Sequence, residues 1–179
     1  MANETVLIPT TPAPQNGYDI PVYGLENGSF YYIHIPAIAC IVTSFICVII
    51  AVVLSFRQRG CGTFYNWTKS ERLVVYLAIC DALYNVSHFT DHTHITIVEG
   101  MVYPKELCEF YGFNLAVAIT SQILMVNVVA INAFMLIYFD KNLSFGKRDW
   151  KLQVWAYGVP FIAALVAVTN GQMGPNGTL

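Results

Sequence analysis

The sequence predicts an all-α transmembrane protein, built as an antiparallel bundle of four membrane-spanning helices. The 179 residues are 56% hydrophobic and only 11% charged, whereas soluble domains carry about 25% charged residues. Four apolar segments are long enough to cross a hydrocarbon layer of about 30 Å. Most of the lysines and arginines lie in two short loops between these segments. Together the three observations indicate a chain whose surface largely faces lipid.

Each apolar segment predicts one helix. The first covers residues 36–56, contains no charged residue, and begins at Pro36, which suits the first turn of a helix because its missing N–H would be unpaired there anyway. The second covers residues 73–97 and is the most polar of the four. The third covers residues 110–139 and the fourth residues 152–172.

The positive charges predict the orientation of the helices. Eight of the nine basic residues fall between helices one and two or between helices three and four: Arg57, Arg59, Lys69, Arg72, Lys141, Lys147, Arg148 and Lys151. Only Lys105 lies elsewhere. Short loops rich in Lys and Arg stay on the cytoplasmic side of a membrane. The N-terminus, the loop near residues 98–107 and the C-terminus are therefore predicted to be outside the cell.

This orientation divides the chain into an irregular extracellular tail (residues 1–33), the helical region (34–174) and the beginning of an outer loop (175–179). The tail lacks the basic and apolar regions of a signal peptide. Glycosylation is predicted at the sequons that face outward, which are Asn3, Asn27 and Asn176. Topology excludes three further matches to the same pattern, at Asn66, Asn85 and Asn142.

Asp81 is predicted to lie deep within the second span. An ionised carboxylate in the middle of a bilayer costs several kcal/mol unless it is paired, hydrated or protonated. Counting the same depth along helix three leads to the region between Asn127 and Asn132, which are the expected hydrogen-bond partners. Two readings stay open: a structural polar clamp between two spans, or a switch that responds to an ion or a proton.

Three further polar residues of helix two, His88, Asp91 and His92, have the i, i+3, i+4 spacing that puts them on one helical face. Such a face is compatible with a zinc ion, but no fourth ligand is apparent. A water-filled cavity between helices two and three, open to the outside, is the favoured interpretation, with interfacial histidines among headgroups as the alternative. Helix three adds polar residues at outer and middle depths: Tyr111, Asn114, Thr120, Ser121 and Gln122.

Among the five cysteines, only Cys108 is predicted to face an oxidising compartment, and it has no partner there. Either it is a free thiol in a complete four-helix protein, or its partner lies beyond Leu179. Shielding Asp81 and the other intramembrane polar groups would be easier with more than four helices, so the second reading is favoured.

Several of these features resemble the seven-transmembrane receptors that signal through G proteins. "LAICD" at residues 77–81 matches the Leu-Ala-x-x-Asp pattern of their second helix. Cys108 stands where their third helix carries a cysteine bridged to the second outer loop, and "YGVP" at residues 157–160 is similar to helix four of the secretin-like and cyclic-AMP receptor groups. Rhodopsin-like receptors carry Asp-Arg-Tyr at the inner end of helix three, where this chain reads "AINAF" at residues 130–134.

The resemblance implies that the chain contains the first four of seven helices of a plasma-membrane receptor. It implies an intramembrane polar switch centred on Asp81 with Asn127 and Asn132, and a disulfide at Cys108. It also implies that a heterotrimeric G protein meets the inner loops at residues 57–72 and 140–151. The candidates for binding an extracellular ligand are His88, Asp91, Tyr111 and Asn114.

Two other classes of function are weighed against the receptor. The alternative is a complete four-helix channel or transporter subunit that oligomerises to shield its polar face. A membrane enzyme with a metal at His88, Asp91 and His92 is disfavoured, because the sequence shows no nucleophile with a base, no phosphate-binding loop and no cofactor fingerprint. No cofactor is expected, and the chain has no basic run that would bind nucleic acid.

Overall fold

The structure, a computed structural model, describes residues 17–19 and 22–174. Four long helices dominate it: α1 (Phe30–Arg59), α2 (Lys69–Val98), α3 (Lys105–Phe139) and α4 (Lys147–Thr169). All four are long and apolar enough to cross a membrane. The predicted all-α bundle of four spans is thereby confirmed. Two short 3-10 helices, Gly17–Asp19 and Cys61–Asn66, precede α1 and α2 respectively.

The helix boundaries differ from the prediction mainly at the start of α1. The helix begins at Phe30, and Pro36 lies inside it rather than in its first turn. The prediction was wrong because it began the helix where the charge-free segment begins. The residues before Pro36 also fold as helix, since Phe30 and His34 are buried against α2 and its neighbours.

Hydrogen bonds between Thr68 and Glu71 fix the residue at which α2 begins. Thr68 accepts a hydrogen bond from the backbone N–H of Glu71, and the Glu71 carboxylate accepts one from the backbone N–H of Thr68. This capping box satisfies two N–H groups that would otherwise be unpaired at the helix end. It fixes the first turn of α2, from which Arg72 and Tyr76 project.

The fourth helix changes its winding in the middle. Residues Trp150–Gln153 are α-helical, Val154–Gly158 form a π turn, and Val159–Thr169 are α-helical again. In the π turn the Val159 N–H bonds to the Val154 carbonyl, five residues back. Pro160 follows at once, and its missing N–H cannot continue an α-helical ladder. The wider turn accommodates this proline and turns Tyr157 toward α2.

Within the bundle, α2 lies between α1 and α3, and α3 also packs on α4. Apolar side chains are buried in two clusters near opposite ends. One is made of Leu73, Tyr76, Cys80, Met125, Phe145, Leu152 and Ala156. The other is made of Val22, Phe30, Ile95, Met101 and Val102.

The two ends of the bundle differ in chemistry. We call the end with residues 57–72 and 140–151 the basic end, because both lysine- and arginine-rich loops meet there. We call the end with residues 22–30 and 99–104 the histidine end, because all four histidines of the chain lie in its half of the bundle. Between the ends, large apolar side chains such as Ile46, Ile50 and Val53 point outward, as expected of a surface in contact with lipid.

Candidate functional site

Asp81 in α2 pairs with Gln122 in α3. The Gln122 side-chain amide donates a hydrogen bond of 2.6 Å to the Asp81 carboxylate. This contact joins the two helices about midway along α2, where an unpaired carboxylate would be costly. The adjacent Ser121 is buried, and its hydroxyl has no partner among the described residues.

The prediction that Asn127 and Asn132 are the hydrogen-bond partners of Asp81 was wrong. Asn127 is exposed, and Asn132 accepts a hydrogen bond of 3.3 Å from the backbone N–H of Leu143. The depth count assumed that helix three reaches the membrane surface at Phe139. The chain after α3 instead folds back until Leu143 lies level with Asn132, so the asparagines lie nearer the basic end than Asp81 does.

The histidine end contains a direct contact between two imidazoles. Nδ1 of His34 in α1 lies 2.8 Å from Nδ1 of His92 in α2, and only 2% and 5% of these residues are exposed. The His88 ring packs on His92 with a centroid distance of 4.7 Å. Nδ1 of His88 is buried without a partner among the described residues.

His94 points to the other side of α2. Its Nδ1 lies 3.3 Å from the hydroxyl of Tyr111 in α3. Asp91 lies between the two sides and interacts electrostatically with His34, His88 and His94. The histidines of α2 therefore make one polar contact to α1, through His92, and one to α3, through His94, and the Asp91 carboxylate lies between these two contacts.

The four residues predicted to bind a ligand do not form one pocket. His88 faces α1, Tyr111 meets His94, and Asp91 lies between them. Asn114 bonds to the Phe110 carbonyl of its own helix at 2.8 Å, which takes its amide N–H out of the cluster. His34, which completes the cluster, was missed because it precedes the segment from which the first helix was predicted. The sequence feature that could have identified it is a histidine less than one helical turn before the start of an apolar span.

An open groove of about 330 Å³ runs between α1 and α2 beside the histidine pair. It is lined by Ser44 and Ala37 from α1 and by Tyr84, Asn85 and His88 from α2, together with Cys40, Ile41 and His92. Asn85 is buried and donates a hydrogen bond of 3.1 Å to the Ser44 hydroxyl. The sequon at Asn85 accordingly lies inside the bundle.

The basic end is held by a buried ion pair that the sequence analysis did not identify. The Arg72 guanidinium donates to both carboxylate oxygens of Asp149, at 2.7 and 3.1 Å. Tyr76 donates a third hydrogen bond to the same carboxylate at 3.1 Å. Arg72 also donates to the carbonyls of Trp67 at 2.5 Å and Tyr65 at 3.3 Å. One guanidinium thus connects both basic loops.

The local backbone explains how Asp149 reaches Arg72. Arg148 and Asp149 both have a φ of +57°, in the left-handed region that few non-glycine residues adopt. Two such residues in succession reverse the chain at the start of α4 and turn the Asp149 carboxylate inward. Lys69 fixes the preceding part of the loop, because its ammonium donates to the Leu143 carbonyl and lies 5.3 Å from the centre of the Phe145 ring.

A chain of hydrogen bonds leads from this ion pair toward the middle of the bundle. The Cys80 thiol donates to the Tyr157 hydroxyl at 3.1 Å, and that hydroxyl donates to the Tyr76 carbonyl at 3.4 Å. Cys80 is the neighbour of Asp81 in α2. Tyr157 in the π turn of α4 is thus connected to Cys80, the neighbour of Asp81. Through Tyr76 it is also connected to Asp149.

The remaining predicted residues lie at the histidine end or outside the described residues. Cys108 is a free, partly buried thiol, and its predicted partner would lie beyond Leu179. Asn27 is exposed in the turn before α1, whereas Asn3 and Asn176 fall outside the described residues. Within residues 17–19 and 22–174, no group of three His, Cys, Asp or Glu side chains is placed to hold a metal ion.

Four antiparallel spans with short basic loops and polar side chains buried between the helices define a multi-pass α-helical membrane protein. The family model of Git3, described as a G protein-coupled glucose receptor regulating Gpa2, matches residues 30–174. The chain belongs to this family of G protein-coupled receptors. No curated protein and no solved structure shows a significant match. The receptor class predicted from the sequence is confirmed, and its grouping with the secretin-like and cyclic-AMP receptors stays a prediction.

Proposed function

We propose that this chain receives a small polar ligand, of the sugar class named in the family description, at its histidine end and transmits that event to a G protein α subunit of the Gpa2 type at its basic end. The observation that carries the proposal is the family match over residues 30–174, which includes all four helices and both basic loops. The channel alternative has no comparable support, because the matched family is a receptor family.

The polar contacts suggest how the two ends communicate. A ligand that binds at the histidine end shifts the receptor only if it has different affinities for two arrangements of the helices. The Asp81–Gln122 bond and the Tyr157 hydrogen bonds are discrete contacts that two packings can make or lose. The Arg72–Asp149 pair then determines how the basic loops are held where the G protein would bind.

The G protein contact can be tested by neutralising exposed cations of the basic end. In cells expressing the complete reading frame, the double change Lys141→Gln, Lys147→Gln is expected to reduce sugar-evoked nucleotide exchange on the α subunit severalfold. Both side chains are exposed, and rim charges act mainly on association with a partner. Lys105→Gln removes an exposed cation at the histidine end and is expected to leave the response unchanged.

The ligand arm of the same experiment uses Tyr111→Phe, which removes the hydroxyl that contacts His94. If this hydroxyl meets the ligand, the half-maximal sugar concentration rises about three- to tenfold, as expected for one lost hydrogen bond. Tyr32→Phe, at a side chain that is 85% exposed, is the matched control. A response insensitive to both the lysine changes and Tyr111→Phe, at unchanged surface expression, would contradict the proposed function.

We also propose a plasma-membrane location with the N-terminus outside. The double change Asn3→Gln, Asn27→Gln is then expected to remove N-terminal glycan and increase mobility on a denaturing gel. Asn66→Gln removes an exposed sequon at the basic end and should have no effect, because glycans are added only on the outer side. The reverse pattern, with glycan lost only in Asn66→Gln, would show that the basic end is outside.

A further inference from the structure

The contact between His34 and His92 requires a particular number of protons. Each neutral imidazole has one nitrogen that donates and one that accepts. A 2.8 Å separation between the two Nδ1 atoms is a hydrogen bond only if one Nδ1 carries a hydrogen and the other does not. One additional proton leaves this bond in place and makes it charge-assisted. A second additional proton makes both Nδ1 atoms donors, and no acceptor remains between the rings.

The surroundings offer one counter-charge to an extra proton on the pair, although burial of both rings opposes any added positive charge. From α2, the Asp91 carboxylate faces His34, so a singly charged pair has a counter-charge. His88, also from α2, faces His92, and His94 faces Asp91. From α3, Cys108 faces Asp91. Three imidazoles, those of His34, His88 and His94, therefore interact with one nearby carboxylate, and every proton after the first adds positive charge to a buried cluster.

The pair lies at the centre of the attachment of α1 to the bundle. The buried residues of α1 are Phe30, His34 and Ile41, so its packing against α2 at the histidine end depends on few side chains. Phe30 packs on the His34 ring with a centroid distance of 4.4 Å. The other polar contact at this end of the two helices joins Tyr31 to Glu99. Repulsion between two imidazoliums would therefore act on the main buried contact.

Protons can reach the pair through the groove between α1 and α2. The groove is about 330 Å³ in volume, and His92 contributes to its wall beside His88. The polar groups along this route are Nδ1 of His88, which has no partner among the described residues, and the side chains of Tyr84 and Ser44. A titratable pair that is itself buried thus lies beside an open groove that contains several polar side chains.

We propose that His34 and His92 form a proton-binding site that joins α1 to α2 while it holds at most one extra proton and releases α1 at the histidine end when a second proton binds. Acidification on that side of the membrane is then a second input to the protein, separate from the proposed sugar ligand and the G protein. The inference rests on the contact geometry and on the four histidines of the chain, and does not require the proposed function.

The direct test is nitrogen NMR of the full chain in lipid nanodiscs with labelled histidine. Near neutral pH, a scalar coupling across the N–H···N bond should connect Nδ1 of His34 with Nδ1 of His92. Lowering the pH from about 8 to about 4, which extends well below the ordinary histidine pKa of about 6.5 because the second proton must enter a buried pair that is already charged, should abolish the coupling. The distance between spectroscopic labels, introduced as unnatural amino acids at the exposed positions 32 and 97, should lengthen over the same interval.

The variants separate titration from packing. His92→Asn places a side-chain amide where Nδ1 stood, so a hydrogen bond to His34 remains possible, but the new group does not titrate. It should lose the pH-dependent lengthening while retaining the label distance of the parent chain at neutral pH. His94→Asn, which alters the contact to α3 instead, should keep the pH response. A folded chain with no coupling at any pH, or an unchanged pH response in His92→Asn, would overturn the proposal.

Discussion

Replacing Arg72 with alanine is expected to lower the free energy of unfolding by about 3–5 kcal/mol, the usual range for removing one partner of a buried ion pair. The side chains of Arg72 and Asp149 are only 14% and 5% exposed. Without the guanidinium, the Asp149 carboxylate would keep a single hydrogen bond, from Tyr76, in a largely buried site. The carbonyl of Trp67 would also lose its donor. Reversible unfolding of the chain in mixed micelles measures the effect.

Two variants distinguish a buried charge from general loss of packing. Arg59→Ala breaks the pair with Glu71, whose side chains are 57% and 32% exposed, and is expected to cost about 1 kcal/mol or less. Arg72→Met combined with Asp149→Asn removes both charges, while asparagine still tolerates the left-handed backbone. This double variant should recover much of the stability lost in Arg72→Ala. A double variant as unstable as the single one would show that the ion pair is not the cause.

Replacing Gln122 with leucine is expected to destabilise the bundle by about 1–3 kcal/mol, because the Asp81 carboxylate would lose its hydrogen-bond donor. Asp81→Asn is the informative counterpart. An amide at position 81 can still bond to Gln122, so stability should remain within about 1 kcal/mol of the parent chain. The signalling response should nevertheless be lost if the charge of Asp81 acts as a switch between two helix arrangements.

This pair of variants decides between the two readings of Asp81 that the sequence left open. A structural clamp requires only the hydrogen bond, so Asp81→Asn would then signal normally and Gln122→Leu would fail through instability. A switch requires the carboxylate, so Asp81→Asn would be stable and silent. Surface expression and sugar-evoked nucleotide exchange, measured on the same cells, give both quantities. We expect the stable and silent outcome.

The incorrect prediction of the partners of Asp81 shows when the depth of a residue in the membrane cannot be counted along its helix. The distance of a residue from the membrane surface was counted from the last apolar residue of helix three, Phe139. That count holds only if the helix end lies at the surface, and the contact between Asn132 and Leu143 shows that the loop folds back beside the helix. The pattern of polar and apolar residues along the chain does not reveal a loop that folds back beside its helix. Gln122 was therefore recognised as polar but not as the partner of Asp81.

The two other contacts that matter most were missed for different reasons. Arg72 was used only as a positive charge that orients a loop, and Asp149 lies 77 residues away in sequence. No local spacing connects them. His34 lies outside the segment of unbroken hydropathy, yet a helix that begins at Phe30 puts it opposite His92. In each case the information lay in how two helices meet.

What the amino-acid order determined by itself is the number and class of the helices and the residues that cannot face lipid. Backbone groups in hydrocarbon must bond within their own segment, so four apolar stretches of sufficient length become four helices whatever their neighbours do. Tertiary structure alone decided which polar groups meet: Asp81 with Gln122, His34 with His92, and Arg72 with Asp149. These pairings depend on how each helix is rotated about its axis and shifted along it relative to its neighbours. Both quantities are determined by the packing of side chains that are far apart in the chain.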